Sequence, residues 1–161
     1  LFKGTIRHNM QWRDKNATDE DIWNALDIAQ AKDFVEKKPD KLDEMILQEG
    51  KNLSGGQRQR LTIARALVGD PEILILDDSA SALDLATDAR LRKAIHEKTS
   101  GMTVFIVSQR ISSIKSADKI IVLDDGKIAG IGTHSELYKG CEVYKEICLS
   151  QLSEKEAQAN G

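Results

Sequence analysis

The chain contains near its middle the stretch Glu72-Ile73-Leu74-Ile75-Leu76-Asp77, an unbroken apolar run that ends in a carboxylate. A second run of this kind follows it, Thr103-Val104-Phe105-Ile106-Val107. Such runs are typical of strands buried on both faces of a parallel sheet. The segment from Asp84 to Thr99 predicts a helix between them, and parallel strands need a crossover connection of that kind. The sequence therefore predicts an α/β fold.

Helical patterns precede this predicted strand–helix–strand segment. Apolar residues recur at helical spacing from Asp19 to Gln30, and a shorter helix is predicted from Ala31 to Lys37. A further helix is predicted from Gln57 to Val68, with Ser54 as its N-cap. Residues 40–52 are expected to form a mostly irregular connection.

A β-hairpin is predicted after the unit, because Lys119–Leu123 and Lys127–Ile131 flank the turn residues Asp124-Asp125-Gly126. We expect it to lie at the edge of a sheet. Two helices are then predicted, from His134 to Gly140 and from Glu142 to Leu152, followed by a polar, frayed end.

The composition is that of a globular domain. The 161 residues are 40% hydrophobic and 30% charged, and their net charge is −3. No basic block is present, so nucleic acid is not an expected partner. Apolar runs are too short to cross a membrane, and the two cysteines are expected in a reducing compartment. The start, Leu1-Phe2-Lys3-Gly4, has no initiator Met or signal pattern, so we expect a fragment of a longer protein.

Polar residues follow both predicted strands. Asp77 and Asp78 follow the first, and Ser108 and Gln109 follow the second. Ligand sites of α/β folds lie at the carboxyl ends of parallel strands, where a carboxylate can hold Mg²⁺ beside phosphates. The alternative is a carboxylate that only caps the next helix.

A second feature suits phosphate. Ser54-Gly55-Gly56-Gln57 precedes a helix, where glycine amides and the helix dipole favour an anion. The alternative is again a simple helix cap.

Read together, these motifs resemble ATP-binding-cassette (ABC) ATPases of the exporter type. Leu53-Ser54-Gly55-Gly56-Gln57 is similar to the family's signature motif. Later segments match its other landmarks in order: the Walker B strand (73–78), the D-loop (81–84), the switch-histidine segment (106–110), and the C-terminal hairpin and helix of exporters (123–128 and 132–137). Residues 1–10 resemble exporter sequence that follows the Q-loop glutamine.

The resemblance implies the C-terminal part of a P-loop NTPase fold. Residues 1–52 would hold the end of the Q-loop region and the α-helical subdomain, residues 53–149 the signature helix and part of the RecA-like core, and residues 150–161 a polar tail. No G-x-x-x-x-G-K-[ST] motif occurs, so the P-loop would lie before Leu1.

The resemblance also implies ATP and Mg²⁺ in the complete cassette. Asp77 would bind Mg²⁺, and the D-loop residues Ala82 and Asp84 would link two ATP sites. The side chains of Ser54 and Gln57 and the amides of Gly55 and Gly56 would contact the γ-phosphate of ATP bound to a second, head-to-tail cassette.

Two positions depart from the family pattern. Asp78 stands where the family has a catalytic Glu, and Gln109 stands where it has a His. A shorter carboxylate weakens general-base catalysis, and Gln can neither carry charge nor shuttle a proton. Both changes fit the degenerate site of a heterodimeric exporter, at the cytoplasmic face of the membrane beside transmembrane domains. The alternatives are a homodimer with Asp78 as working base, a soluble ABC ATPase acting on DNA or ribosomes, and a truncated, non-catalytic interaction module.

Other conspicuous residues are given ordinary roles. The three histidines are not expected to bind metal, and His134 is expected to start a helix. Surface or salt-bridge positions are predicted for Arg58, Arg60 and Arg65, and packing positions for Trp12 and Trp23. Cys141 and Cys148 are expected on one helix, too far apart for a disulfide.

Overall fold

The computed structural model describes residues 1–79, 81–99 and 101–159, with side chains up to Gln151. The chain divides into two compact units, residues 1–107 and 108–161. The first unit contains β1 (Gly4–Thr5), α1 (Ile6–Met10), α2 (Asp19–Ile28), α3 (Lys32–Glu36), β2 (Met45–Ile46), α4 (Gly55–Leu67), β3 (Ile73–Asp77), α5 (Leu85–Lys98) and β4 (Thr103–Val107). The second contains α6 (Ile111–Ile114), β5 (Ile120–Asp124), β6 (Lys127–Gly132), α7 (His134–Gly140) and α8 (Glu142–Ala159).

The central pair of strands is parallel, as predicted. β3 pairs with β4 in register, from Ile73 opposite Thr103 to Asp77 opposite Val107. α5 makes the connection, and the Asp84 side chain caps it by accepting from the Thr87 amide.

The expectation of strands buried on both faces is wrong for β3. Leu74 and Leu76 are buried, whereas Ile73 and Ile75 are 59% and 66% exposed. In β4, the strand paired with β3, Phe105 and Val107 are also exposed. Because side chains alternate along a strand, one face of this sheet packs on the core and the other remains apolar and open within the described residues.

The helices before the sheet begin at side-chain caps. Thr18 and Ser54 each form a capping box, with Asp21 for α2 and with Gln57 for α4. The buried faces of α2 and α4 meet in the core of this unit, which includes Ile22, Leu26, Leu61, Ile63 and Leu67.

Residues 40–52 are mostly irregular, as expected. They hold two short 3₁₀ turns, Lys41–Asp43 and Gln48–Gly50, and the strand β2, which pairs with β1. Neither strand has a sequence signal, because two residues are too few to show periodicity.

The arginines of α4 depart from their predicted surface role. Arg60 is half-buried: its guanidinium lies 4.9 Å from the Phe34 ring centroid and donates to the Gln30 carbonyl at 2.7 Å. Burial lowers the pKa of Arg60. Arg65 lies over the Phe2 ring, and only Arg58 is exposed. An arginine stem can cover apolar surface, which a charge count does not reveal.

The tryptophans differ from each other. Trp23 packs against the core, as predicted. Trp12 is 59% exposed and contacts Phe2, with ring centroids 4.4 Å apart, so its packing is peripheral.

The hairpin of the second unit is antiparallel, as predicted, and forms a two-stranded sheet of its own. Asp125 and Gly126 both have positive φ, as a tight hairpin turn of the I′ kind requires. α7, α8 and the residue between them cover it through Leu137, Cys141, Tyr144 and Cys148.

Two expectations for this unit are wrong. Cys141 caps α7 and lies outside α8, so the two cysteines, both free, do not share a helix. α8 also continues to Ala159 where a frayed end was expected from Ser153, because Glu, Lys, Ala and Gln are strong helix formers and no Gly or Pro interrupts them. Within the part of the chain that is described, no helix is both long and apolar enough to cross a membrane.

Candidate functional site

The start of α4 forms a closed turn around Ser54. Ser54 Oγ accepts from the Gln57 amide at 3.2 Å, and Gln57 Oε1 accepts from the Ser54 amide at 3.1 Å. Gly55 and Gly56 are the first two residues of α4, and the amides of a helix's first turn have no partner further back in the helix. They are therefore suited to an anion such as phosphate.

The loop after β3 packs directly against this turn. A Cβ at Gly56 would lie 3.2 Å from the carbonyl oxygen of Ala82, and one at Gly55 would lie 3.6 Å from the Ala82 Cβ. The predicted signature and D-loop are thus in contact within one chain, and glycine is what permits the approach.

Asp77 and Asp78 end the parallel strand β3, and both are exposed. Asp78 has φ +44°, a left-handed conformation that is uncommon for residues other than glycine. Its amide donates to the Val107 carbonyl at 3.0 Å. Its own carbonyl accepts from the amide and the hydroxyl of Ser81 and from Gln59 Nε2. The backbone at Asp78 is therefore held from both sides.

Asp84 begins α5 and keeps its charge to low pH. Its carboxylate accepts from the Thr87 amide at 2.9 Å and from the Thr87 hydroxyl at 2.7 Å. These bonds lower the pKa of Asp84, the backbone bond contributing most. The residue is an exposed, ionised cap next to Ala82.

Gln109 lies in the second unit, and its side chain is exposed. The backbone around it is held by α8: Gln151 Nε2 donates to the Gln109 carbonyl at 2.6 Å, and Gln151 Oε1 accepts from the Ile111 amide at 3.0 Å.

The predicted start of α7 at His134 is confirmed, and His134 Nδ1 lies 2.9 Å from the Tyr144 hydroxyl.

The first unit thus brings together most of the predicted site residues. Ser54, Gly55, Gly56 and Gln57 surround one helix start, Ala82 contacts it, and Asp78 is joined to it through Gln59. Sequence reasoning missed Gln59 and Gln151. Neither glutamine had a signal in the sequence, because its partners are distant along the chain.

The side chains suit Mg²⁺ bound mainly by phosphate and water. Among the described residues, no group of three or more His, Cys, Asp or Glu side chains is arranged to hold a metal ion. Mg²⁺ beside nucleotides commonly uses one or two carboxylates and takes its other ligands from phosphates and water. The exposed carboxylate of Asp77, at the end of β3, fits that requirement.

Comparisons with known proteins give a consistent result. A family model described as "ABC transporter" matches residues 2–81. An uncharacterised ABC transporter ATP-binding protein of Bacillus subtilis is 44% identical over 159 residues, which are 99% of this chain and 27% of the relative. A multidrug resistance ABC transporter ATP-binding and permease protein of Lactococcus lactis is 40% identical over 95% of this chain and 26% of its own length.

A solved structure agrees. A bacterial Atm1-family ABC exporter with ATP bound matches 94% of this chain and 27% of its own chain, at a TM-score of 0.89 and 34% identity. The fold is that of an ABC ATPase, and the chain belongs to the ABC transporter family. It spans about a quarter of the length of these relatives.

Proposed function

We propose that the chain forms part of the ATPase domain of an ABC exporter and couples ATP binding and hydrolysis to export across a membrane. The observation that carries this proposal is the contact between the start of α4 and Ala82, which joins a helix start suited to an anion to the loop after an acidic strand end. The likeness to an exporter with ATP bound supports it.

ATP is the proposed substrate, and it would lie between this chain and a second, head-to-tail cassette. Ser54 and Gln57, with the amides of Gly55 and Gly56, would bind the γ-phosphate of the nucleotide held by that second cassette. Asp77 would bind Mg²⁺, which neutralises phosphate charge when it is present. Ala82 and Asp84 would connect the two ATP sites.

The two sites are proposed to differ. Asp78 and Gln109 belong to the site formed by this chain's own cassette, where both replacements weaken water activation. Ser54 to Gln57 belong to the partner's site and are intact. The chain would therefore be a poor catalyst in its own site and competent in its partner's, as in a heterodimeric exporter.

Transmembrane domains are the other proposed partners, with this part of the protein at the cytoplasmic face of the membrane. In this proposal, ATP hydrolysis and export are activities of the full-length protein. By itself, the 161-residue chain is expected to be inactive, because it carries no P-loop motif.

The test is ATP turnover by the full-length protein, purified without a second kind of cassette. We expect slow turnover that rises when Asp78→Glu and Gln109→His are introduced together. Brisk turnover by the unmutated protein would overturn the degenerate-site proposal in favour of a homodimer in which Asp78 is a working base. Absence of ATP binding by the full-length protein would favour a non-catalytic interaction module.

A further inference from the structure

Gln59 joins two parts of the candidate site that are far apart in sequence. It is half-buried on α4, and its side-chain amide uses both ends. Nε2 donates to the Asp78 carbonyl at 3.2 Å, and Oε1 accepts from the Ala82 amide at 3.0 Å. Nε2 also lies 3.5 Å from Ser81 Oγ. One planar group thus holds two backbone groups of the loop after β3, the Asp78 carbonyl and the Ala82 amide.

This loop needs such support at Asp78. The left-handed backbone there costs free energy for any residue with a Cβ. The bonds from Ser81 lie within the loop itself, whereas the bond from Gln59 ties the Asp78 carbonyl to a long helix. The two bonds from Gln59, together with the packing of Ala82 on Gly56, set where the loop lies relative to the signature turn.

The next residue anchors the same helix on its other side. Arg60 donates to the Gln30 carbonyl at the end of α2 and stacks on Phe34 of α3. The helix that carries Gln59 is therefore also tied to α2 and α3.

We propose that Gln59 is a positioning residue that holds Asp78 and Ala82 in register with the signature turn at Ser54. This inference rests on the proposed function, in which the signature turn serves one ATP site and Asp78 serves the other. Gln59 touches neither substrate nor metal in this scheme. It links the two sites by fixing backbone groups on both sides.

The experiment uses three variants of the full-length protein with its partner cassette. Gln59→Leu removes both contacts at similar volume. Gln59→Glu keeps an acceptor for the Ala82 amide and loses the donor to the Asp78 carbonyl. Thr62→Val is the matched control, because Thr62 is exposed on the same helix and its hydroxyl donates to the Arg58 carbonyl of its own helix.

The first readout is hydrogen exchange at the Ala82 amide without nucleotide, which needs no turnover. We expect faster exchange in Gln59→Leu, and exchange near that of the unmutated protein in Gln59→Glu and Thr62→Val. Unchanged exchange in Gln59→Leu would overturn the contact itself, whatever the fate of the proposed function.

The second readout is steady-state ATP turnover per folded protein. We expect kcat to fall about tenfold in Gln59→Leu, since two hydrogen bonds are lost, with KM for ATP little changed. The kcat of Gln59→Glu should lie between that of Gln59→Leu and that of the control. A lower thermal midpoint with unchanged kcat would mean a structural role only and would overturn the positioning role. Failure of the proposed function would instead appear as no turnover in the unmutated protein, with the exchange result still decisive.

Discussion

Gly56 and Ala82 approach so closely that a Cβ at Gly56 would lie 3.2 Å from the Ala82 carbonyl oxygen. At Gly55 the equivalent Cβ would meet only the Ala82 Cβ, at an ordinary 3.6 Å. The two neighbouring positions therefore differ in whether packing requires glycine. Gly56 is required by packing on the loop after β3, and Gly55 is not.

Alanine should destabilise the protein at position 56 and not at position 55. Alanine favours a helix over glycine by up to about 1 kcal/mol, so Gly55→Ala should be neutral or stabilising. Gly56→Ala must push the Ala82 backbone away, at a cost of about 1–3 kcal/mol. Thermal unfolding of the full-length protein measures the difference, and equal midpoints for the two variants would contradict the packing argument.

Ser54 and Thr18 allow the cap to be separated from the site. Each accepts from a backbone amide three residues ahead, in a capping box of the same unit. Ser54→Ala and Thr18→Ala should each cost about 1 kcal/mol of stability. Only Ser54→Ala should also lower ATP turnover, because only Ser54 lies in the proposed phosphate site. Equal turnover losses in the two variants would assign Ser54 a capping role alone.

The second unit should lose stability in alkali. Burial, followed by the neighbouring Cys148, raises the pKa of Tyr144 from its ordinary value of 10 to about 12, and burial also raises the pKa of Cys148. The folded state therefore keeps these protons to higher pH than the unfolded chain does. Their contribution to stability is complete below the unfolded pKa values and is lost as pH rises from about 9 to about 12.

Tyr144→Phe tests this alkaline dependence. It should flatten the fall of the thermal midpoint between pH 10 and about 12, whereas Tyr138→Phe, at a half-buried position on α7, serves as the control. Absorbance of tyrosinate should show a tyrosine that titrates near 12 in the unmutated protein and is lost in Tyr144→Phe. Identical pH profiles for both variants would show that Tyr144 is not the responsible group.

The open apolar face of β3 and β4 predicts a covering layer in the full-length protein. Ile75 is 66% exposed and Phe105 beside it is 54% exposed, although parallel sheets are normally covered on both faces. Ile75→Lys should therefore destabilise the full-length protein by about 2 kcal/mol or more. Glu72→Lys, at an exposed position just before the strand, is the control. Equal thermal midpoints for the two variants would mean that this face stays in water.

Much of the fold could be predicted from local patterns. The parallel pair, α2, α4, α5 and the hairpin all follow from hydrophobic periodicity, caps and turn residues, whose physics is local. The exposure of Ile73 and Ile75 could not be predicted, because an unbroken apolar run does not show which face of the strand is covered.

The candidate site shows the same division. Two segments stand out in the sequence, Ser54 to Gln57 and Asp77–Asp78. Glycines before a helix and carboxylates at the end of an apolar strand each have few structural roles. Gln59 does not stand out, since a glutamine on a helix is ordinary until the structure places Asp78 and Ala82 beside it. The surface prediction for Arg60 is wrong for a related reason: its partners, Gln30 and Phe34, are distant in sequence and give no signal at Arg60 itself.

The central proposal, a weak site in this chain and a competent one in its partner, is tested most directly by Asp78→Asn in the full-length transporter with its partner cassette. A working general base contributes about 10²–10⁴-fold to the rate. We predict that Asp78→Asn lowers ATP turnover by less than about twofold, because the partner's site carries the reaction. A loss of about a hundredfold or more would contradict the proposal and make Asp78 the working base.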